Sequence, residues 1–215
     1  MAFDLEALKQ NVIDGNAKGA LALTQQGLAE GVAPEILINQ GLIPAMSTVG
    51  KLFEEGEFFV PEMLIAARAM QGSLEILRPL VAAKGGMKPL ATVVVGTVKG
   101  DLHDIGKNLV KIMLEGAGCR VIDLGTDVTP EKYVQTAIEN KADIIALSAL
   151  LTTTMPNMKN TVEAVKTAGL SGKVKVIIGG APVTDTYARQ IGADGYAPDA
   201  SRAATLVRHL MGVAV

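Results

Sequence analysis

The sequence has no tryptophan, 3% aromatic residues and one cysteine in 215 positions. A single cysteine excludes a disulfide framework, and Cys119 reads as a small buried hydrophobe at the start of a strand. Charge of one sign is also missing. Twenty Lys and Arg against 22 Asp and Glu leave a formal charge of -2, and no basic patch points to nucleic acid. No apolar run is long enough to span a bilayer. The leading MAFDLEALK lacks the basic start and apolar core of a signal peptide, so a soluble, cytoplasmic chain is expected. What is plentiful is small and aliphatic: 49% apolar residues and 23 glycines. That suits helices packed on a parallel sheet, in one large domain or two small ones.

Residues 1–84 read as four helices. Asp4 and Asn16 are candidate N-caps for the first two, and Gly31 ends the second. Pro34 suits the first turn of a third, carrying Ile36, Leu37, Ile43, Met46, Val49 and Phe53, with a bend expected at Gly41 and Pro44. Pro61 opens a fourth with Leu64, Ala67, Met70, Leu74 and Leu77. Short connections between them predict a bundle. Residues 85–89, Gly-Gly-Met-Lys-Pro, read as a linker. From Leu90 to the end, short apolar runs at 92–98, 120–124, 143–148 and 174–179, with a short one near Tyr196, alternate with helical segments near 106–117, 130–140, 156–168, 184–191 and 200–211. That alternation predicts α/β architecture with a doubly wound, Rossmann-like parallel sheet. Thr129 and Ser201 read as helix starts.

The first strand runs into Gly100-Asp101-Leu102-His103-Asp104-Ile105-Gly106-Lys107-Asn108. Ligands of open parallel sheets bind beyond the carboxyl ends of the strands, where this loop lies. It is not a P-loop, which needs four residues between its first Gly and Gly-Lys, then Ser or Thr. Here five intervene and Asn108 follows, and Asp101 and Asp104 would repel a phosphate. The dinucleotide fingerprint G-x-G-x-x-G is absent too. What the loop does offer is a histidine two residues from a carboxylate that can orient it, as in metal sites, and a glycine, Gly106, that permits close approach. One His with one Asp is too few ligands for a protein-held zinc. It suffices for a metal whose other positions a macrocycle already fills.

Asp101-x-His103-x-x-Gly106 resembles the signature of the cobalamin-binding domain shared by methionine synthase and the methyltransferase corrinoid proteins. The resemblance implies a corrinoid cofactor, with His103 displacing its benzimidazole to become the lower cobalt ligand, and Gly100, Asp104, Ile105 and Gly106 lining the same loop. Two further loops are similar. Ser148-x-Leu150-x-Thr152-x-Thr154 resembles the segment lining the channel for the cofactor's nucleotide tail, and Gly179-Gly180 its floor, with Tyr196 at the last strand end. Thr154 falls where the family often has a serine bonded to the motif's aspartate, which implies a relay Thr154–Asp101–His103–cobalt. The phenylalanine-rich turn from Val49 to Pro61 resembles the helical cap that precedes this domain. It implies that Phe53 and Val60, with Phe59 and Met63 close by, shield the methyl-bearing upper face.

The resemblance covers nearly the whole chain, in the order cap, linker, α/β domain. It implies a methyl carrier that cycles between Co(I) and methyl-Co(III), without a complete active site of its own. A substrate-specific methyltransferase would load the cobalt from a methylamine, methanol, betaine or aryl methyl ether. A second would unload it onto tetrahydrofolate or a thiol, and a reductive activator would rescue Co(II). The Leu150-Leu151-Thr152-Thr153-Thr154-Met155 run is more similar to the methylamine group. The competing expectations are a cobalamin-dependent sensor and the cobalamin subunit of a radical isomerase.

Overall fold

A computed structural model describes residues 3–83 and 85–213. Lys84 at the end of the expected bundle, the first two residues of the expected non-leader terminus, and residues 214 and 215 at the expected end of the α/β domain lie outside these. The chain divides into two compact units, Met1–Lys88 and Pro89–Val215.

In the first unit, Asp4 caps α1 (Leu5–Ile13) by accepting the Ala7 N–H, and Asn16 caps α2 (Ala17–Ala29) through the Gly19 N–H. α3 (Pro34–Ile36) runs into a π-helical segment, Leu37–Leu42, and then α4 (Ile43–Glu54). The bend expected at Gly41 and Pro44 thus takes the form of a π turn. Pro44 brings no N–H, and the Ile43 N–H donates five residues back, to the Ile38 carbonyl. At Gly41 a Cβ would stand 2.9 Å from Leu8 Cδ2, so the missing side chain lets α1 come close.

α5 (Val60–Ala83) buries Met63, Ala66, Ala67, Met70, Leu74 and Leu77, a stripe at three- and four-residue spacing. Leu64 lies off that stripe. It was expected inside and is 41% exposed. Ile36 is exposed for the same reason, since the buried stripe beside it runs through Pro34, Leu37, Ile38 and Leu42. Between α2 and α5 the fully buried Thr24 hydroxyl donates to Ser73 Oγ at 2.9 Å, so neither polar group is left without a partner.

The second unit is a five-stranded, all-parallel sheet in the order β2-β1-β3-β4-β5. Its strands are β1 (Thr92–Thr97), β2 (Arg120–Asp123), β3 (Ile144–Ser148), β4 (Lys175–Gly179) and β5 (Gly195–Tyr196). β1 is buried at every residue, as a central parallel strand covered on both faces must be. The helices between them are α6 (Ile105–Gly116), α7 (Pro130–Asn140), α8 (Pro156–Thr167) and α9 (Asp185–Ile191), and α10 (Ala200–Leu210) follows β5.

One face of the sheet, with Val94, Val98, Ile145, Leu147, Val176 and Ile178, builds a core with α7, α8 and α9. Tyr133 of α7 lies over Gly96, where a Cβ would meet its hydroxyl at 2.5 Å. On the other face α6 and α10 pack together. α10 is capped by Asp199, whose carboxylate accepts the Arg202 N–H, so Ser201, the expected start, is the second helical residue. Cys119 is buried just before β2. The register aligns Thr97 with Ser148 and Ser148 with Gly179. Three strand ends therefore finish level, and their loops open side by side.

A carboxylate-oriented imidazole beyond the strand ends

The loop after β1 turns on Gly100, whose φ of +81° suits glycine. At the next residue the chain must bury Asp101, which is fully shielded from solvent. A buried carboxylate needs donors, and it has five. Oδ1 accepts from His103 Nδ1 at 2.7 Å and the His103 N–H at 3.1 Å. Oδ2 accepts from the Thr154 hydroxyl at 2.7 Å, the Leu150 N–H at 2.8 Å and the Leu151 N–H at 3.3 Å. Burial alone would push this carboxyl up. Hydrogen bonds from Thr154, His103 and the Leu150 and His103 backbone outweigh it and hold the group well below the usual carboxylate range. Asp101 is therefore ionised and can only accept, so His103 Nδ1 carries the proton. In the neutral ring Nε2 is then left with its lone pair, and the side chain is half exposed, 50%.

The imidazole is held from behind as well. The Thr97 hydroxyl donates to the His103 carbonyl at 2.8 Å. The loop after β2 supplies Asp127, in a left-handed conformation with φ +54°. Its carboxylate accepts the Gly100 N–H at 2.7 Å, and its own N–H donates to the Asp101 carbonyl at 3.0 Å. The two loops that meet at Asp101 also carry exposed apolar side chains: Leu102 at 73%, Ile105 at 77%, with Leu150 and Leu151 also exposed. Such exposure marks a surface that something covers.

The structure thus brings Gly100, Asp101, His103, Asp104, Ile105, Gly106, Leu150 and Thr154 to one place, with Thr152 on the same exposed loop as Leu150. Thr97, Ser148 and Gly179 are register partners and share one face at the end of the sheet. Tyr196 does not join them. It pairs with Ile178 and packs against the core under α7, α8 and α9, on the opposite face. At Gly180 a Cβ would lie 1.9 Å from the Ala149 carbonyl oxygen, so this glycine is already required by the approach of the neighbouring loop. In the other unit, Phe59 is exposed, Phe53 and Val60 are partly buried, and Met63 is buried.

Sequence reasoning missed Thr97, Leu151 and Asp127. Only Gly125-Thr126-Asp127 carried a local sign, since Asp tolerates left-handed turns.

Among the described residues no group of three or more His, Cys, Asp or Glu is placed to hold a metal ion. One open imidazole nitrogen, oriented by a buried carboxylate on loops that carry exposed aliphatic side chains, fits a metal that arrives already ligated in a large apolar group. A doubly wound domain with such a loop beyond its strand ends suits the class of cobalamin-binding domains.

The comparisons place the chain within that class. A family model described as B12 binding domain matches residues 91–205, and a second of the same description matches residues 4–78. The trimethylamine corrinoid protein 1 of Methanosarcina mazei is 43% identical over 201 residues, 93% of each chain. The crystal structure of a cobalamin-binding protein from Desulfitobacterium hafniense DCB-2 is similar at 32% identity and a TM-score of 0.82, over 97% of this chain and 99% of that one. The crystal structure of the methanol:cobalamin methyltransferase complex MtaBC from Methanosarcina barkeri gives 28% identity and a TM-score of 0.87, over 98% of this chain and 80% of that one. The chain belongs to the corrinoid methyl-carrier proteins of methyltransferase systems, and its cofactor is cobalamin. Among the described residues no helix is long and apolar enough to cross a membrane.

Proposed function

We propose that this chain receives methyl groups from a methylamine-specific methyltransferase and delivers them to a second methyltransferase acting on tetrahydrofolate or a thiol. The observation that carries the reading is the Asp101–His103 pair, which leaves Nε2 free on a half-exposed ring. When bound, the corrinoid would supply a nucleophilic cobalt able to carry a methyl group. The chain's residues do the rest. His103 Nε2 is the lower ligand. Asp101 fixes the ring's tautomer and direction, and Thr154 fixes Asp101. Leu102, Ile105, Leu150 and Leu151 exclude water beneath the macrocycle. Ser148 and Gly179, with Thr152 and Gly180 nearby in sequence, line the path of the nucleotide tail.

By the family likeness, Phe53 and Val60, helped by Phe59 and Met63, would be the side chains that shelter the cofactor's methyl-bearing face, and residues 85–89 would serve as the linker. A reductive activator returns stray Co(II) to service. The kinship with the trimethylamine corrinoid protein supports a methylamine donor. The likeness to the MtaBC chain supports methanol as the second reading.

The test is a three-component assay. The chain, loaded with hydroxocobalamin and reduced, is mixed with a trimethylamine methyltransferase and trimethylamine. A methyl-cobalamin spectrum is expected only when all three are present. Methylation by methanol with a methanol methyltransferase, but not by amines, would reassign the donor. No methylation from either would sink both donor readings.

A further inference from the structure

Lys107, the third residue of α6, is charged yet only 2% exposed. Its Nζ donates to both oxygens of Asp123 at 2.7 and 2.8 Å and to Asn108 Oδ1 at 2.7 Å. Asp123 is the last residue of β2. Burying such a pair adds little net stability, because desolvation offsets most of the attraction. What it does add is geometric constraint.

Followed outward, the bonds close a circuit. Asp123 Oδ1 accepts the Gly125 N–H at 2.9 Å. The Gly125 carbonyl accepts the Thr97 N–H at 2.9 Å. The Thr97 hydroxyl donates to the His103 carbonyl at 2.8 Å. Four residues beyond His103 the chain returns to Lys107. On the helix side, Asn108 binds Asp104 twice, from its backbone N–H at 2.8 Å and its side-chain amide at 3.1 Å. α6 has no side-chain cap bond of its own at this end, so its first turn depends on these side chains for its position.

We propose that Lys107 is a positioning residue: by tying the start of α6 to the end of β2, it holds the His103 ring against Asp101 and so governs whether the imidazole ligates cobalt, rather than whether the chain folds or the corrinoid binds. The proposal rests on the reading of His103 as the lower ligand. In a Lys107→Met chain the stem volume is kept, and Asp123 retains the Gly125 N–H and Lys111 at 3.5 Å. The fold is therefore expected to survive.

Two readouts decide. In the cofactor-free chain, the hydrogen-bonded Nδ1 proton of His103 is followed by NMR. Lys107→Met and, independently, Asp123→Asn are expected to shift it or broaden it by exchange. With the histidines labelled with 15N, and after loading with hydroxocobalamin and reduction to Co(II), the 15N doublet splitting in the EPR spectrum, distinct from the 14N triplet of the cofactor's own benzimidazole, reports the histidine-ligated fraction. That fraction is expected to fall severalfold while retained corrinoid and melting temperature stay near wild type. An unchanged proton signal and an unchanged histidine-ligated fraction in both variants would overturn the proposal. So would a loss of ligation that only accompanies unfolding in both. If the wild-type chain binds corrinoid with no 15N splitting from histidine, the ligand reading fails instead, and the NMR of the cofactor-free chain still shows whether Lys107 holds the ring.

Discussion

A His103→Gly chain is expected to fold as before, bind cobalamin more weakly and lose histidine ligation altogether. The ring is half exposed and makes one side-chain hydrogen bond, to Asp101, so its removal costs little fold. The backbone N–H at this position remains to donate to Asp101 Oδ1. On the proposed ligation, the cofactor would lose the one ligand that the protein offers its cobalt. Partners that merely support a ligand alter metal affinity by about 10–100-fold, so removing the ligand itself should cost at least that much. The measurement is the visible spectrum of the methyl-cobalamin form beside a titration of binding. A spectrum identical to wild type would show that the imidazole never meets the metal.

Asp101→Ala should have the opposite character, damaging the fold first. All five donors to this carboxylate come from its own loop and the loop after β3, and the Leu150 N–H and Thr154 hydroxyl lose their shared acceptor. Thr154 keeps the Leu151 carbonyl at 2.8 Å, but Leu150 is left with nothing comparable. The part-buried Leu150 N–H left without its acceptor and the lost charge-assisted bonds together put the expected loss at about 3 kcal/mol, read from chemical denaturation.

The same carboxylate predicts a pH dependence. Its folded pKa lies below its unfolded one, so below the unfolded value of about 4 the unfolded chain binds more protons. The stability Asp101 contributes is therefore fully present above that pH and is lost progressively as the pH falls. The acid limb of the stability profile should flatten in Asp101→Ala. An equally steep limb in the variant would place the effect elsewhere.

Much of this site is legible from sequence because it is local. Asp101 and His103 are two residues apart, and strands ending in loops declare themselves through β-branched runs such as Thr92 to Val98. The alternation of strands and helices from Leu90 onward also fixes the parallel sheet, with ends displaced by a residue or so. Resemblance alone led to Thr154, since nothing near it in sequence says that its hydroxyl meets a carboxylate 53 residues earlier.

What stayed hidden depends on pairing at a distance or on backbone shape. Lys107 reads as an ordinary helix lysine. Only the stop of β2 beside α6 turns it inward to Asp123. The role of Asp127 needs both a left-handed backbone and the nearness of Gly100. The π turn before Pro44 leaves the apolar spacing of its helix almost unchanged, so periodicity does not separate it from a bend. Tyr196 sits at the expected strand end, but its face follows from register with Ile178, and a two-residue strand has no alternation to reveal it.

The most direct test of the whole account needs only the purified chain and hydroxocobalamin. The two are mixed, passed through a desalting column, and cobalt is counted against protein. The account predicts a coloured protein fraction with stoichiometric cobalt. A colourless fraction without cobalt would contradict it.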